Sequence, residues 1–148
     1  MPEITSSQLT PSHAEAFRKA KDALARQNHD YILMLLPPVL EASPGFLEGR
    51  KVLRAAQLSK SKSASKIEKS MAAVKIAPLV LQAKSAAGKS LGAGLAKLEE
   101  ALSMDPQNGQ ANGALAELAL ANDLPGTAIF AHETIRAAKP QDTQNLHG

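Results

Sequence analysis

Apolar residues recur at three- and four-residue spacing along nearly the whole chain, and no stretch alternates apolar with polar. That spacing puts side chains on one stripe of an α-helix, whereas a half-buried strand needs a period of two. The chain therefore reads as all-α. Ile67, Met71, Val74, Pro78 and Leu81 are separated by four, three, four and three residues, which makes one continuous helical face. Leu91, Leu95, Leu98 and Leu102 form another, with Glu99 and Glu100 assigned to its polar side.

Prolines, glycines and capping residues cut the pattern into about seven helices. Ser12 and Glu15 have capping-box spacing at the first start, with Thr10 as cap and Pro11 in the first turn as the alternative. Ala16, Ala20, Ala23 and Leu24 share the face of that helix. Asp30 is placed to cap a second helix, strongly apolar from Ile32 to Leu40, which Pro37 and Pro38 should kink or restart. Phe46, Gly49, Val52, Leu53 and Ala56 mark a third, and residues 59–65 read as a polar loop. The long pattern over 67–81, bent at Pro78, is the fourth. Patterns over 91–102, 115–119 and 128–135 complete the set, the last closing at Lys139-Pro140.

Composition narrows the chemistry. A length of 148 residues suits one domain. With no Cys there is no disulfide scaffold, thiolate zinc site or cysteine nucleophile. The start has no basic segment followed by an apolar one, and no apolar run approaches the ~20 residues of a spanning helix. A cytoplasmic protein without membrane insertion is the expectation. His13, His29, His132 and His147 show no helical metal-pair spacing. Gly88-Lys89-Ser90 has the closing residues of a phosphate loop, but Ala83 stands where its first glycine belongs. Gly92-Ala93-Gly94 lacks the third glycine and the strand of a dinucleotide site. No Gly-x-Ser-x-Gly elbow occurs. No catalytic residue, metal-ligand set or cofactor motif emerges, and the expectation is a protein that is not an enzyme.

Charge is distributed unevenly. Residues 50–98 hold eleven Lys or Arg against Glu68 alone, a balance of +10. Residues 1–49 carry −2 and residues 99–148 carry −5. A basic block between acidic flanks attracts an acidic protein segment or a phosphate polymer.

The span from Pro106 to Pro140 is 34 residues, ordered helix, turn, helix, proline. Its pattern is Asn112-x2-Leu115-Ala116-x2-Ala119, then Ala128-x3-His132, then Pro140. This resembles the tetratricopeptide repeat, in which tryptophan and tyrosine bracket the first helix and a ring follows the conserved alanine. Leu115, Ala128 and Pro140 match the family and Ala116 keeps the small position, while Asn112, Ala119 and His132 depart at the three aromatic positions. Ala20, Ile32, Leu36 and Pro44 lay a first unit on the same frame more weakly. The resemblance implies a right-handed α–α superhelix of antiparallel helix hairpins. It implies a single repeat domain over 11–140 with a helical insertion near 60–88. The middle repeat would pair residues 45–58 with residues 91–104. Residues 1–10 would be a disordered lead-in, and 141–148 a frayed or truncated tail such as a piece of a longer array would show.

In that family the first helices line a concave groove that holds a peptide or a partner helix. The resemblance thus implies groove residues Phe17, Lys21 and Leu24 from the first unit, Lys51 and Ala55 from the second with Arg54 beside them, and Glu117 from the third; Phe17 and Leu24 also read as core residues. An adaptor binding a protein or peptide partner, favouring an acidic one, is the leading reading. Nucleic acid or another polyanion bound through 50–89 is the second, supported by charge and opposed by an aromatic content of 3%. Self-association through the 67–81 face is the third, since its spacing is that of a coiled-coil seam about two heptads long.

Overall fold

The computed structural model describes residues 3–138. Among these residues there are seven α-helices, one short 3-10 turn (Ser6–Gln8) and no strand. The helices are α1 (Pro11–Ala25), α2 (His29–Ala42), α3 (Leu47–Ser61), α4 (Lys66–Ala87), α5 (Leu91–Met104), α6 (Gly109–Ala121) and α7 (Pro125–Ala138). The tail expected over 141–148 lies outside the described residues, as does Pro140.

Local chemistry sets the boundaries. Thr10, not Ser12, caps α1: its Oγ1 accepts the His13 N–H at 3.3 Å, with Pro11 in the first turn. Ser65, Ser90 and Asn108 cap α4, α5 and α6 in the same way. Asp30 lies inside the first turn of α2 instead of ahead of it, and meets Lys60 of α3 at 2.6 Å. The ends of α1 and α6 are alike. Gln27 and Asp123 both adopt φ of 59°. Beyond them, the Asn28 N–H donates to the Ala23 carbonyl and the Leu124 N–H to the Ala119 carbonyl, each at 2.8 Å. This closure satisfies a free carbonyl of the last turn and sends the chain back antiparallel. The two turns sit 96 positions apart, the same offset that separates Ala20 from Ala116 and Pro44 from Pro140.

Several expectations are corrected. Helix α2 runs through Pro37 and Pro38 without restarting; both prolines are exposed. Helix α4 runs as one helix through Pro78, as expected, but is longer than the 67–81 pattern. The polar loop is short, because α3 continues to Ser61. Of the lead-in expected over 1–10, residues 1–2 lie outside the described residues, and Glu3 and Ile4 make specific contacts. The Ile4 N–H donates to the Gly45 carbonyl at 2.9 Å, and the Glu3 carboxylate accepts from Thr127 N–H at 2.9 Å and Oγ1 at 3.0 Å, at the start of α7. Nor is α4 an insertion set apart from a paired α3 and α5. The α4–α5 pair is the most extensive helix contact in the molecule, while α3 touches α5 only lightly. Gly94 explains the closeness: a Cβ there would lie 2.8 Å from the Ala83 carbonyl oxygen.

Two hydrophobic cores result. The N-terminal one joins α1, α2 and α3 around Phe17, Ile32, Leu36 and Phe46. The C-terminal one joins α4 to α7 around Ile76, Leu95, Leu98 and Leu115, with many alanines between. The face of α4 that enters this core is Ala72, Ile76, Leu79, Val80 and Ala83. The larger residues at 67, 71, 74 and 81 point the other way and are exposed.

Candidate functional site

Between the two cores lies a buried polar cluster. Arg50, Arg54 and Gln57 are spaced four and three apart on α3, so they share one face. Opposite them stands Glu99 of α5. Its carboxylate accepts from Arg50 Nη1 at 2.6 Å, and from Arg54 Nη1 and Nη2 at 2.6 and 3.0 Å. Arg50 also donates to the Pro44 carbonyl at 3.1 Å, and Gln57 Nε2 donates to Ser103 Oγ at 3.1 Å. Arg50, Arg54 and Glu99 are each at most 5% exposed as whole residues.

The electrostatics follow from that burial. Desolvation pushes the Glu99 carboxyl up, but the charges of Arg54 and Arg50 and their hydrogen bonds outweigh it and bring the group from 4.5 down to about 2. Burial pulls the Arg50 guanidinium below its ordinary value, against the opposing pull of Glu99. Arginine nevertheless stays protonated in proteins. Two buried cations therefore share one buried anion, and the Nε atoms of both arginines have no hydrogen-bond partner.

Arg54 reaches from this cluster to the surface of a groove between α3 and α7. The groove has a volume of about 280 Å³ and is lined by Lys51, Arg54, Ala55 and Leu58 on one side and by Phe130, Glu133 and Thr134 on the other. Lys51 Nζ lies 5.8 Å and Arg54 Cζ 5.6 Å from the centre of the Phe130 ring. Cations at that distance gain from the negative face of the ring. The lining is partly aromatic, with Lys51 as its exposed cation and Glu133 as its acidic residue.

The expected groove residues are thus divided. Lys51, Arg54 and Ala55 come together. Phe17 does not join them: it is 3% exposed, edge-on to Phe46 at 4.7 Å, and belongs to the N-terminal core. Lys21 lies over the Phe17 ring at 4.8 Å, and Leu24 is half-buried against the same core. Glu117 is on α6, 3.7 Å from Lys84 of α4. Arg54 is not a free surface cation, since its charge is engaged by Glu99.

Glu99 escaped the sequence reading, which put it on a solvated face. A signal was present. Leu95, Leu98, Glu99 and Leu102 occupy positions i, i+3, i+4 and i+7, the width of an apolar stripe facing a core. Gly92 and Gly94 serve packing instead of a nucleotide: a Cβ at Gly92 would overlap the Glu41 carbonyl oxygen of α2. His132 is exposed on α7.

No protein-family model, no curated protein and no solved structure matches this chain. Among the described residues, no group of three or more His, Asp or Glu is placed to hold a metal ion, and no helix is long and apolar enough to cross a membrane.

Proposed function

We propose that the protein is a non-enzymatic interaction module with tetratricopeptide-like hairpins, which takes an acidic peptide segment of a partner in the α3–α7 groove. The observation that carries this reading is the convergence of Lys51, Arg54 and Ala55 with Phe130 on one groove. Lys51 beside the Phe130 ring supplies a charge-assisted hydrogen bond to a carboxylate, and the ring an apolar surface for its stem. The buried cluster adds to this, because its two guanidinium groups hold only one carboxylate between them. The hairpin reading draws on the shared turn of α1–α2 and α6–α7 and on the small residues Ala20, Ala23, Ala116 and Ala119 in matching places.

Fluorescence anisotropy with a labelled Asp/Glu-rich peptide tests the proposal. Lys51→Glu should weaken binding about tenfold, equivalent to about 1.4 kcal/mol. Ala55→Glu, which fills the groove with the wrong charge, should weaken it as much. Unchanged affinity in both variants contradicts the proposal. Arg54 is unsuitable for this purpose, since reversing it would leave Glu99 facing another carboxylate. Binding of a random DNA duplex through 50–89 is the competing reading. It has lost ground, because Arg50 and Arg54 are buried and out of reach of phosphates. Tight, steeply salt-dependent duplex binding in place of peptide binding would favour it.

A further inference from the structure

Of the seven exposed large hydrophobic residues among the described residues, four lie on the outer face of α4. Ile67, Met71, Val74 and Leu81 are between 56% and 77% exposed, and Pro78 is exposed between them. Their spacing of four, three, four and three is that of alternating core positions in a coiled coil. The opposite face of the same helix is already buried through Ala72, Ile76, Leu79, Val80 and Ala83. Nothing in the fold requires large apolar residues on the outside, and a contiguous exposed stripe of this kind marks an interaction surface.

Charge decides what covers it. Helix α4 carries Lys66, Lys69, Lys75 and Lys84 against Glu68 alone. Glu68 is already engaged at the helix start, where it accepts from the Ser65 hydroxyl at 3.3 Å. By helical periodicity Lys66 and Lys84 border the stripe on one side and Lys75 on the other. A second copy is a poor occupant: pairing about the midpoint at Val74 brings Lys75 against Lys75, and each helix contributes four lysines to one glutamate. A lipid surface is a poor occupant too, since the stripe has the narrow width of a helix seam and α4 has no aromatic residue.

We infer that the outer face of α4 is a docking seam for an amphipathic helix of a partner protein, one whose apolar stripe is bordered by Asp and Glu. The partner lays leucine-like side chains between Ile67, Met71, Val74 and Leu81. Its carboxylates meet Lys66 and Lys75. This surface is separate from the α3–α7 groove and does not depend on the groove being occupied.

A labelled peptide of about three heptads tests it, with Leu at the seam positions and Glu at both flanking positions, against a twin with Lys in place of Glu. The full chain should bind the Glu peptide more than about tenfold tighter than the Lys peptide. Val74→Glu, at an exposed position, should abolish binding while circular dichroism shows the fold intact. Lys66→Glu/Lys75→Glu should shift preference toward the Lys peptide. Lys51→Glu should leave Glu-peptide binding unchanged, which separates this seam from the groove. The inference is overturned if both peptides bind equally, if neither binds, or if Val74→Glu has no effect. It is also overturned if sedimentation shows a dimer that Val74→Glu dissolves, or if phosphatidylserine vesicles bind in place of the peptide.

Discussion

The N-terminal and C-terminal cores are built by opposite means. Of ten buried apolar residues in the first, three are alanine, and Phe17 and Phe46 meet edge-on at its centre. Of seventeen in the second, nine are alanine, and no aromatic residue is among them. Large side chains fill the space among α1, α2 and α3. In the C-terminal half the helices approach until backbone meets backbone, as at Gly94. The first core should therefore fail when volume is removed, and the second when volume is added. The two are separate apolar clusters, and α3 and α5 meet between them through Arg50, Arg54, Gln57 and Glu99.

The contrast can be broken in order of expected effect. Phe17→Ala should cost about 3–5 kcal/mol in chemical denaturation, since it empties the site facing Phe46. A loss under about 1 kcal/mol would mean the N-terminal core is loosely packed. Gly94→Ala should destabilise by about 1–3 kcal/mol, because the added methyl collides with the Ala83 carbonyl. Helix propensity alone predicts the opposite sign, a gain of about 1 kcal/mol, so the direction of the change is decisive. Acid should weaken the junction. Glu99 has a folded pKa of about 2, below its ordinary 4.5, so its contribution is fully present above 4.5 and is lost as pH falls toward 2. This one group contributes a slope of at most about 1.4 kcal/mol per pH unit, measurable as a falling urea midpoint. The smallest effect belongs to Glu3→Gln. Burial raises the Glu3 pKa, but the hydrogen bonds from Thr127 outweigh it and leave the group lowered, so a carboxylate is favoured at the start of α7. Its loss should cost under about 1 kcal/mol and appear as faster amide exchange near Thr127.

Much of this fold could be read from the residues. Helix type, helix number and most boundaries follow from apolar spacing and from caps such as Thr10, Ser65 and Ser90. The offset that relates Ala20 to Ala116 also relates the two helix-ending turns. Lys51 and Ala55 line a cleft between α3 and α7, not one shared with Lys21 and Glu117 on the other first helices. What could not be read was which of two good faces each helix turns inward. Helix α4 is apolar on both sides, and its better-spaced side, with Ile67 and Leu81, is the exposed one. Periodicity measures the regularity of a stripe and carries no information about its partner. The charged cluster was hidden for a related reason. An arginine pair at i and i+4 looks like a solvated face until a carboxylate from a helix 45 residues away in sequence meets it. Of the two readings open for Phe17, groove by family frame and core by its apolar character, the core one holds, with Phe46 beside it.

The central claim is that two unlike cores are joined across one buried charge cluster in which Glu99 neutralises Arg50 and Arg54. The direct test is urea denaturation of the parent, Glu99→Leu, and the triple variant Arg50→Met/Arg54→Leu/Glu99→Leu. The account predicts a loss of about 3–5 kcal/mol for the single change, which strands two buried cations, and recovery to near parent stability or above in the triple. A single variant within about 1 kcal/mol of the parent, or a triple no more stable than the single, would contradict it.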